Sequence, residues 1–353
     1  MKVAETVKVN KLLKFYVKYS LKSVNEYLTE YELGNVISSY YLQDAFESSN
    51  FVVETDRGKF LFRFLFNTPE KITRGAILLQ LFVDIGISTP LPVLNRQGKY
   101  FSSIDETTCI FVQTFIEGSE DLTKPEYVSM IEEYGKAMGR FHRLSSTIEI
   151  SKIKPMDLAI EISHELSYID MVAEITKGFL VLPDSEYIRS QHKAWLSKYK
   201  EITKLMKQNK LHLTKCLIHG DAGPGTNILS KNGIITGFID LMGARNGFVL
   251  YDIGSFMMYG GLYAERNGEL FKRFITSYLA ENPIREELKY IGFFLKARFL
   301  LQVLFFTYRI LIGYTQGVDN EDDNQTGYND GVEMLEVLEG LPSDYFEGII
   351  DRI

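Results

Sequence analysis

The sequence predicts an α+β chain of two lobes, a small antiparallel β-rich lobe followed by a larger, mainly α-helical one. Three observations carry this. The chain has 353 residues, and domains run to ~100–200 residues, so two lobes are expected. Residues 36–66 read as strands in close succession, VISSYYL, NFVVET and KFLFRFLF. After Gly118 the apolar residues fall three and four apart, the spacing of helices.

The elements follow in order. Residues 1–34 carry helical spacing, with Leu12, Leu13, Tyr16 and Val17 and then Val24, Tyr27 and Leu28. Asp56-Arg57-Gly58 is a hairpin signal between the second and third strands. An apolar helix is expected over 71–85, stopped by Gly86 and followed by Pro90 and Pro92. GKYFSSI and CIFVQTFI are two further strands, the latter running into Glu117-Gly118. Helices are expected over 127–144, 157–175 and 185–208, a β-hairpin region over 215–240, and helices again to the end. The division is residues 1–118 for the first lobe, with an extra N-terminal helical segment, and 119–353 for the second. VDNEDDN, residues 318–324, reads as an exposed acidic loop.

Composition narrows the function. Apolar residues are 45% and charged residues 24%, the ordinary globular balance, which excludes a disordered or fibrous chain. Lys and Arg number 39 against 46 Asp and Glu, a net of -7; without a basic excess or stripe, no nucleic-acid partner is expected. The two cysteines, Cys109 and Cys216, sit in apolar surroundings and read as buried thiols. With no disulfide framework, a reducing, cytoplasmic location is expected. The N-terminal stretch has no apolar signal core. The most apolar segment, 291–314, is interrupted by Lys296, Arg298, Gln302 and Arg309. It therefore reads as a buried helix, and no membrane partner is expected.

Phosphate-loop, nucleophile-elbow, HExxH and paired CxxC motifs are absent. His142, His164, His192 and His212 lack a partner pattern and read as structural. One segment, CLIHGDAGPGTNILSKNGIITGFIDLMGARNGFVLYDIGSF (216–256), concentrates polar chemistry. Asn232-Gly233 is a two-residue hairpin turn. Pairing about it sets Lys231 opposite Ile234, Ser230 opposite Ile235 and Asn227 opposite Phe238. Asp240 then lies two residues beyond, at the same open end as Asn227 and beside Asp221. The amide and carboxylate oxygens of Asn227 and Asp240 suit Mg²⁺. Asp221 remains able to accept a proton from a hydroxyl. A base, a metal clamp and a nucleotide between two lobes are the components of phosphoryl transfer. HGD alone is a weak signal; followed by Asn, a hairpin ending in Ile-Asp, and then Tyr-Asp-Ile-Gly, it is a strong one.

These residues resemble the protein-kinase-like small-molecule phosphotransferases: aminoglycoside phosphotransferases, choline kinases and homoserine-kinase-like enzymes. The resemblance covers nearly the whole chain from about residue 24. YELGNVISSYYLQDAFESSNFVVETDRGKFLFRFL and GISTPLPV look most like the homoserine-kinase-like branch, FIEG at 115–118 matches the hinge exit, and GKAMGRFHRLS the helix after it. The resemblance implies a two-lobed protein-kinase-like fold and an enzyme that moves the γ-phosphate of ATP or GTP, with Mg²⁺, to a hydroxyl of a small molecule. It implies Asp221 as catalytic base, Asn227 and Asp240 as Mg²⁺ ligands, and Asp252 and His219 as supports behind them. A purely structural helix-start role is equally open for Asp252. Arg63 would reach the nucleotide phosphates; an exposed strand residue between phenylalanines is its alternative. Gln113, Thr114 and Phe115 would form the adenine hinge through their backbones, and Ser48 and Ser49 would contact phosphates from the loop 43–50.

Three departures qualify this. Five residues, Ala222 to Thr226, separate Asp221 from Asn227 where the kinase pattern has four. Either Gly223 and Gly225 absorb the extra residue as a bulge, or Thr226 takes part and Asn227 is displaced. Gly75 stands where the helix after the third strand normally offers Glu, and the loop 43–50 has no glycine. A non-catalytic kinase-fold scaffold that binds nucleotide is therefore a second reading. The acceptor stays open between an aminoglycoside-type antibiotic, which the acidic segment 319–333 would suit, and an amino alcohol such as homoserine.

Overall fold

The computed structural model describes residues 19, 21–45, 48–65, 67–106, 108–118, 124–150, 184–262, 268–313, 321–342 and 344–353. Most of the N-terminal helical segment and the helix expected over 157–175 lie outside these residues. The first lobe opens with a short helix α1 (Leu21–Tyr27) and builds an antiparallel sheet from β1 (Val36–Ala45), β2 (Ser48–Thr55), β3 (Gly58–Leu65), β4 (Phe101–Ser103) and β5 (Cys109–Thr114). The strand order is β1-β2-β3-β5-β4. Asp56 and Arg57 form the tight turn, with Thr55 opposite Gly58. Helix α2 (Pro69–Asp84) is capped by Thr68, whose side chain accepts from the Lys71 N–H.

Side chains alternate across the sheet, so its faces have different partners. Phe51, Val53, Phe62, Phe64, Ile110 and Val112 pack with Val24, Tyr31 and Leu33 on the outer face. Leu65, Cys109 and Phe111 face Ile72, Ala76 and Leu79 of α2 in the core that continues into the second lobe. Arg63, between Phe62 and Phe64, is on this inner side, and its side chain reaches the second lobe.

The second lobe contains α3 (Lys124–Ser129), α4 (Ile131–Ser145), α5 (Ser185–Lys207), α6 (Val249–Gly260), α7 (Glu269–Glu281), α8 (Ile291–Ile312), α9 (Glu321–Gly340) and α10 (Tyr345–Ile350). The helix expected over 127–144 is thus two helices, broken at Met130. Two small ribbons lie at the junction of the lobes: β6 (Lys215–Ile218) with β9 (Arg245–Phe248), and β7 (Ile228–Lys231) with β8 (Ile234–Phe238). The sequence reading had no β9, because RNGF carries no alternation. Residues 321–324 are corrected from loop to the first turn of α9: Asn324 is buried and accepts a hydrogen bond from Arg309 Nε at 2.8 Å. Helix α8 is apolar enough to cross a membrane by length and composition. It packs against α6 and α9 and buries Phe294, Leu295, Leu300 and Leu304. Its interruptions, Arg298 and Arg309, are themselves buried.

Cys109 and Cys216 are both buried free thiols, and burial pushes Cys216 up to about 12. Helices α4 and α7 approach unusually closely. A Cβ on Gly135 would lie 2.3 Å from the Phe274 carbonyl oxygen, and one on Gly139 2.6 Å from that of Tyr278. Backbone cannot yield as a side chain can. Gly135→Ala and Gly139→Ala are therefore expected to lower stability by about 1–3 kcal/mol, despite the ~1 kcal/mol helix-propensity gain from alanine; thermal or urea unfolding of each variant checks this.

Candidate active site

The site is assembled at the mouth of the β7–β8 ribbon, and its geometry starts from one buried carboxylate. Asp252, in the first turn of α6, is wholly buried. Its Oδ2 accepts from the His219 N–H at 2.7 Å and from His142 Nε2 at 3.0 Å; its Oδ1 accepts from the Gly220 N–H at 2.7 Å. Tyr278 Oη lies 2.7 Å from His142 Nδ1 and accepts from Asn282 Nδ2 at 2.9 Å. Burial alone would raise Asp252, but the His142 hydrogen bond and charge and the Gly220 amide outweigh it and hold it below the ordinary carboxylate range.

With residues 219–220 gripped, Asp221 follows at the surface of the cleft, its side chain 38% exposed. His219 ties this loop to the segment before Asp240. Its Nδ1 accepts from the Asp221 N–H at 3.3 Å, and its Nε2 donates to the Ile239 carbonyl at 2.8 Å, one residue before Asp240.

The extra residue between Asp221 and Asn227 is absorbed in a closed turn. The Gly223 carbonyl accepts from the N–H groups of Asn227 at 3.1 Å and Ile228 at 3.0 Å, and Gly225 takes φ +70°. Asn227 is not displaced. Its Nδ2 donates to the Asp221 carbonyl at 2.8 Å and to Asp221 Oδ2 at 3.1 Å, which leaves Oδ1 as the amide's acceptor atom. Thr226 is exposed.

The hairpin register differs from the expected one. Lys231 faces Ile234 and Ser230 faces Ile235, but a bulge shifts the rest, so Leu229 faces Gly237 and Ile228, not Asn227, faces Phe238. The shift coincides with a tie to the first lobe. Ser88 Oγ donates to the Thr236 carbonyl at 2.7 Å, and the Phe238 N–H donates to the Ser88 carbonyl at 2.9 Å. Asn227 then faces Ile239, whose N–H donates to its carbonyl at 2.9 Å. Asp240 is therefore one residue from the Asn227 pairing, closer than expected. It adopts the left-handed conformation, φ +59°, and is 53% exposed at its side chain.

Arg63 reaches across the cleft to Asp240, with Nη1 and Nη2 both 3.2 Å from Oδ1. Its expected acidic partner on α2 is replaced by a close packing contact. A Cβ on Gly75 would lie 2.9 Å from Cβ of Met242, two residues after Asp240, so α2 lies directly on the loop that carries this carboxylate. Glu70 is exposed at the start of α2.

Asn227 and Asp240 together offer an amide oxygen and a carboxylate. That set fits Mg²⁺, which takes one or two protein carboxylates and completes its shell with phosphate and water. Among the described residues no group of three or more His, Cys, Asp or Glu could hold a metal ion.

The backbone donors of the expected hinge are engaged within the first lobe. The Thr114 N–H is given to the Leu91 carbonyl at 2.9 Å and the Phe115 N–H to the Lys59 carbonyl at 3.0 Å. Gln113 is buried and paired with Leu61. Beyond them, Glu117 meets Lys59 of β3 at 3.0 Å and Lys231 of β7, and the two lysines hold its carboxyl down at about 2. Ser48 and Ser49 begin β2 and are buried, and Ser48 Oγ donates to Asn50 Oδ1 at 3.0 Å.

Two residues of the site were not singled out as functional from sequence. Arg298 Nη2 donates to Asp221 Oδ1, and Tyr259 Oη donates to the same oxygen at 2.8 Å. Burial lowers Arg298, but the Asp221 carboxylate and the oxygens of Tyr259 and Tyr251 more than offset it, and its pKa lies above the ordinary value. The available signal was a charged residue inside the most apolar segment of the chain.

With this geometry in hand, the comparisons with known proteins converge. The model of the phosphotransferase enzyme family matches residues 42–290, and the chain belongs to that family. Curated relatives include homoserine kinases from Gluconobacter oxydans, 24% identical over 67% of this chain and 71% of the relative, and from Rhodopseudomonas palustris, 22% identical over 76% and 78%. Shorter matches span as little as 41% of the relative. Solved structures share the fold. An amicoumacin kinase in complex with AMP-PNP, Ca²⁺ and its antibiotic superposes with TM-score 0.64 at 15% identity, over 95% of this chain and 94% of that one. A microcompartment-associated aminopropanol kinase gives 0.61 at 16%, over 94% and 98%. A choline/ethanolamine kinase family protein from Mesorhizobium loti gives 0.63 at 13%, over 94% and 99%. The chain is thus a two-lobed kinase-like phosphotransferase whose family acts on small-molecule hydroxyls.

Asp252→Asn places an NH₂ where the loop amides require an acceptor, and is expected to cost about 3–5 kcal/mol of stability. The folded chain holds Asp252 below the ~3.9 of an unfolded aspartate. Its contribution is therefore complete above that pH and is lost as pH falls through the lower folded value. Urea unfolding of wild type and variant between pH 7 and pH 3 should show the gap narrowing toward acid.

Proposed function

We propose that the protein transfers the γ-phosphate of ATP or GTP, with Mg²⁺, to the hydroxyl of a small amino alcohol, with homoserine as the leading candidate. The observation that carries this is the grouping of an exposed Asp221 carboxylate, the Asn227 amide bonded to it, and Asp240 one residue from the Asn227 backbone pairing. The homoserine kinases among the relatives favour an amino alcohol acceptor.

The residues divide the work. Asp221 accepts the hydrogen bond of the incoming hydroxyl, aims its oxygen at the phosphorus, and takes the proton as transfer proceeds. Asn227 Oδ1 and Asp240 hold the divalent ion, which supplies neutralisation of the charge on the phosphate oxygens. Arg63, anchored at Asp240, faces the phosphates. Holding acceptor and phosphate in line in a closing cleft supplies much of the acceleration. The two features that favoured a non-catalytic scaffold are each accommodated: the extra loop residue lies in the Gly223 turn, and Gly75 admits Met242.

The test is product formation. Purified protein is incubated with ATP or GTP, Mg²⁺, and homoserine, aminopropanol, choline or kanamycin in separate reactions, and the phosphorylated acceptor is measured by mass spectrometry. Phosphohomoserine is expected. Transfer to kanamycin alone would overturn the amino alcohol assignment, and no transfer to any acceptor would overturn the kinase reading. Asp221→Asn and Asp221→Ala should reduce turnover by about 10³-fold while nucleotide affinity, read by calorimetry, stays within about threefold; turnover like wild type in either variant would remove Asp221 from the role of base.

A further inference from the structure

We propose that Arg298 and Tyr259 form a clamp on Asp221 that occupies one carboxylate oxygen and leaves the other to the acceptor hydroxyl, which makes Arg298 a positioning residue for phosphoryl transfer. The proposal rests on the kinase reading above.

Arg298 stands in α8 among Leu295, Ala297, Phe299 and Leu300, all fully buried. A guanidinium in such a place persists only if its donors are satisfied. Three of its five N–H donors have partners inside the fold: Nε donates to Ser255 Oγ at 3.2 Å, and Nη2 donates to Tyr259 Oη at 3.0 Å and to Asp221 Oδ1. The guanidinium also lies over the Tyr259 ring, 5.5 Å from its centroid. Ser255 and Tyr259 are four residues apart and so share a face of α6, the helix whose first turn carries Asp252. One helix therefore fixes both the backbone of the catalytic loop and, through Arg298, the side chain that ends it.

Counting acceptor positions on Asp221 gives the consequence. A carboxylate oxygen has two lone pairs. Both on Oδ1 are used, by Arg298 and Tyr259, and one on Oδ2 is used by Asn227. The direction that remains is on Oδ2, the oxygen beside the metal-side amide. The asymmetry of exposure agrees with a functional placement: the Arg298 side chain is 10% exposed and that of Asp221 38%. The cation is set behind the carboxylate, which faces the cleft. The loop itself accommodates the clamp, because a Cβ on Gly223 would lie 2.6 Å from the Tyr259 ring.

The experiment compares wild type with Arg298→Ala, Arg298→Lys and Tyr259→Phe in homoserine-dependent consumption of ATP or GTP, alongside calorimetric nucleotide binding. A misaimed base should lower kcat about 100-fold in Arg298→Ala, with nucleotide affinity within about twofold. Added guanidinium chloride at tens of millimolar, about the range for filling such a cavity, should recover part of the lost kcat. Arg298→Lys should recover less than full activity, because an ammonium cannot span Ser255, Tyr259 and Asp221 as a planar fork does. Tyr259→Phe removes a single donor from a half-exposed side chain and should lose about tenfold. Arg298→Ala with kcat within about threefold of wild type, or with a loss that guanidinium does not relieve and that nucleotide affinity shares, would overturn the clamp. If the Arg298 variants do not fold, unchanged kcat in Tyr259→Phe overturns it. Wild-type protein that phosphorylates nothing in either nucleotide would overturn the kinase reading and the clamp with it, whereas active wild type with indifferent variants overturns the clamp alone.

Discussion

The buried carboxylate of Asp252 is the constraint on which the rest of the site depends. It accepts two backbone N–H groups from residues 219 and 220 and a third hydrogen bond from His142, without any contact with water. An ionised group in such a place is unstable unless its acceptors are filled. The loop before Asp221 is therefore held to one path by the cost of leaving any of these bonds unmade. The network reaches outward through His142 to Tyr278 and Asn282 on and beyond α7. That helix can lie close enough only because Gly135 and Gly139 present no side chain to it. A packing choice on α4 and an electrostatic one on α6 are thus parts of the same arrangement.

A second set of contacts joins the lobes around the cleft. Ser88 pairs with the β8 backbone, Arg63 pairs with Asp240, and Glu117 sits between Lys59 and Lys231. The first of these is the most consequential for geometry. It holds the carbonyl of Thr236, the residue skipped where the register shifts and Asp240 comes one residue nearer to Asn227. The exposed Glu117 pairs contribute little energy in water.

Much of this was legible in the sequence, for identifiable reasons. The strands of the first lobe announce themselves by alternation and by the turn at Asp56-Arg57, and α2 by its Thr68-Pro69 start. Asp221, Asn227, Asp240 and Asp252 stand out in the sequence because their order along the chain is itself the signal, and the fold brings them to one region. What was illegible depends on contacts distant in sequence. The register of β7 and β8 followed the Asn232-Gly233 turn near the tip and failed beyond it, at a bulge whose residue Thr236 bonds to Ser88, 148 residues away. The start of α9 looked like loop because its acidic run hides Asn324, whose burial is decided by Arg309 of α8. Arg298 read as an interruption of an apolar helix. Its meaning appears only when α8 is packed against α6.

The charges of the site share a rule that explains how two carboxylates can face one cleft. Asp221 and Asp240 are brought to the same open end by the His219 link and the Asn227–Ile239 pairing. Like charges so placed repel. Each, however, has its own cation set behind it: Arg298, 10% exposed, behind Asp221 at 38%, and Arg63, 14% exposed, behind Asp240 at 53%. The burial that makes a guanidinium expensive also makes its field on the neighbouring carboxylate strong, because little water lies between them. The cations come from opposite lobes, β3 and α8, and neither is adjacent in sequence to the aspartate it serves. The balance of charge at the cleft is therefore a property of the two-lobed fold, and the acceptor positions left on the two carboxylates lie on the side away from these cations.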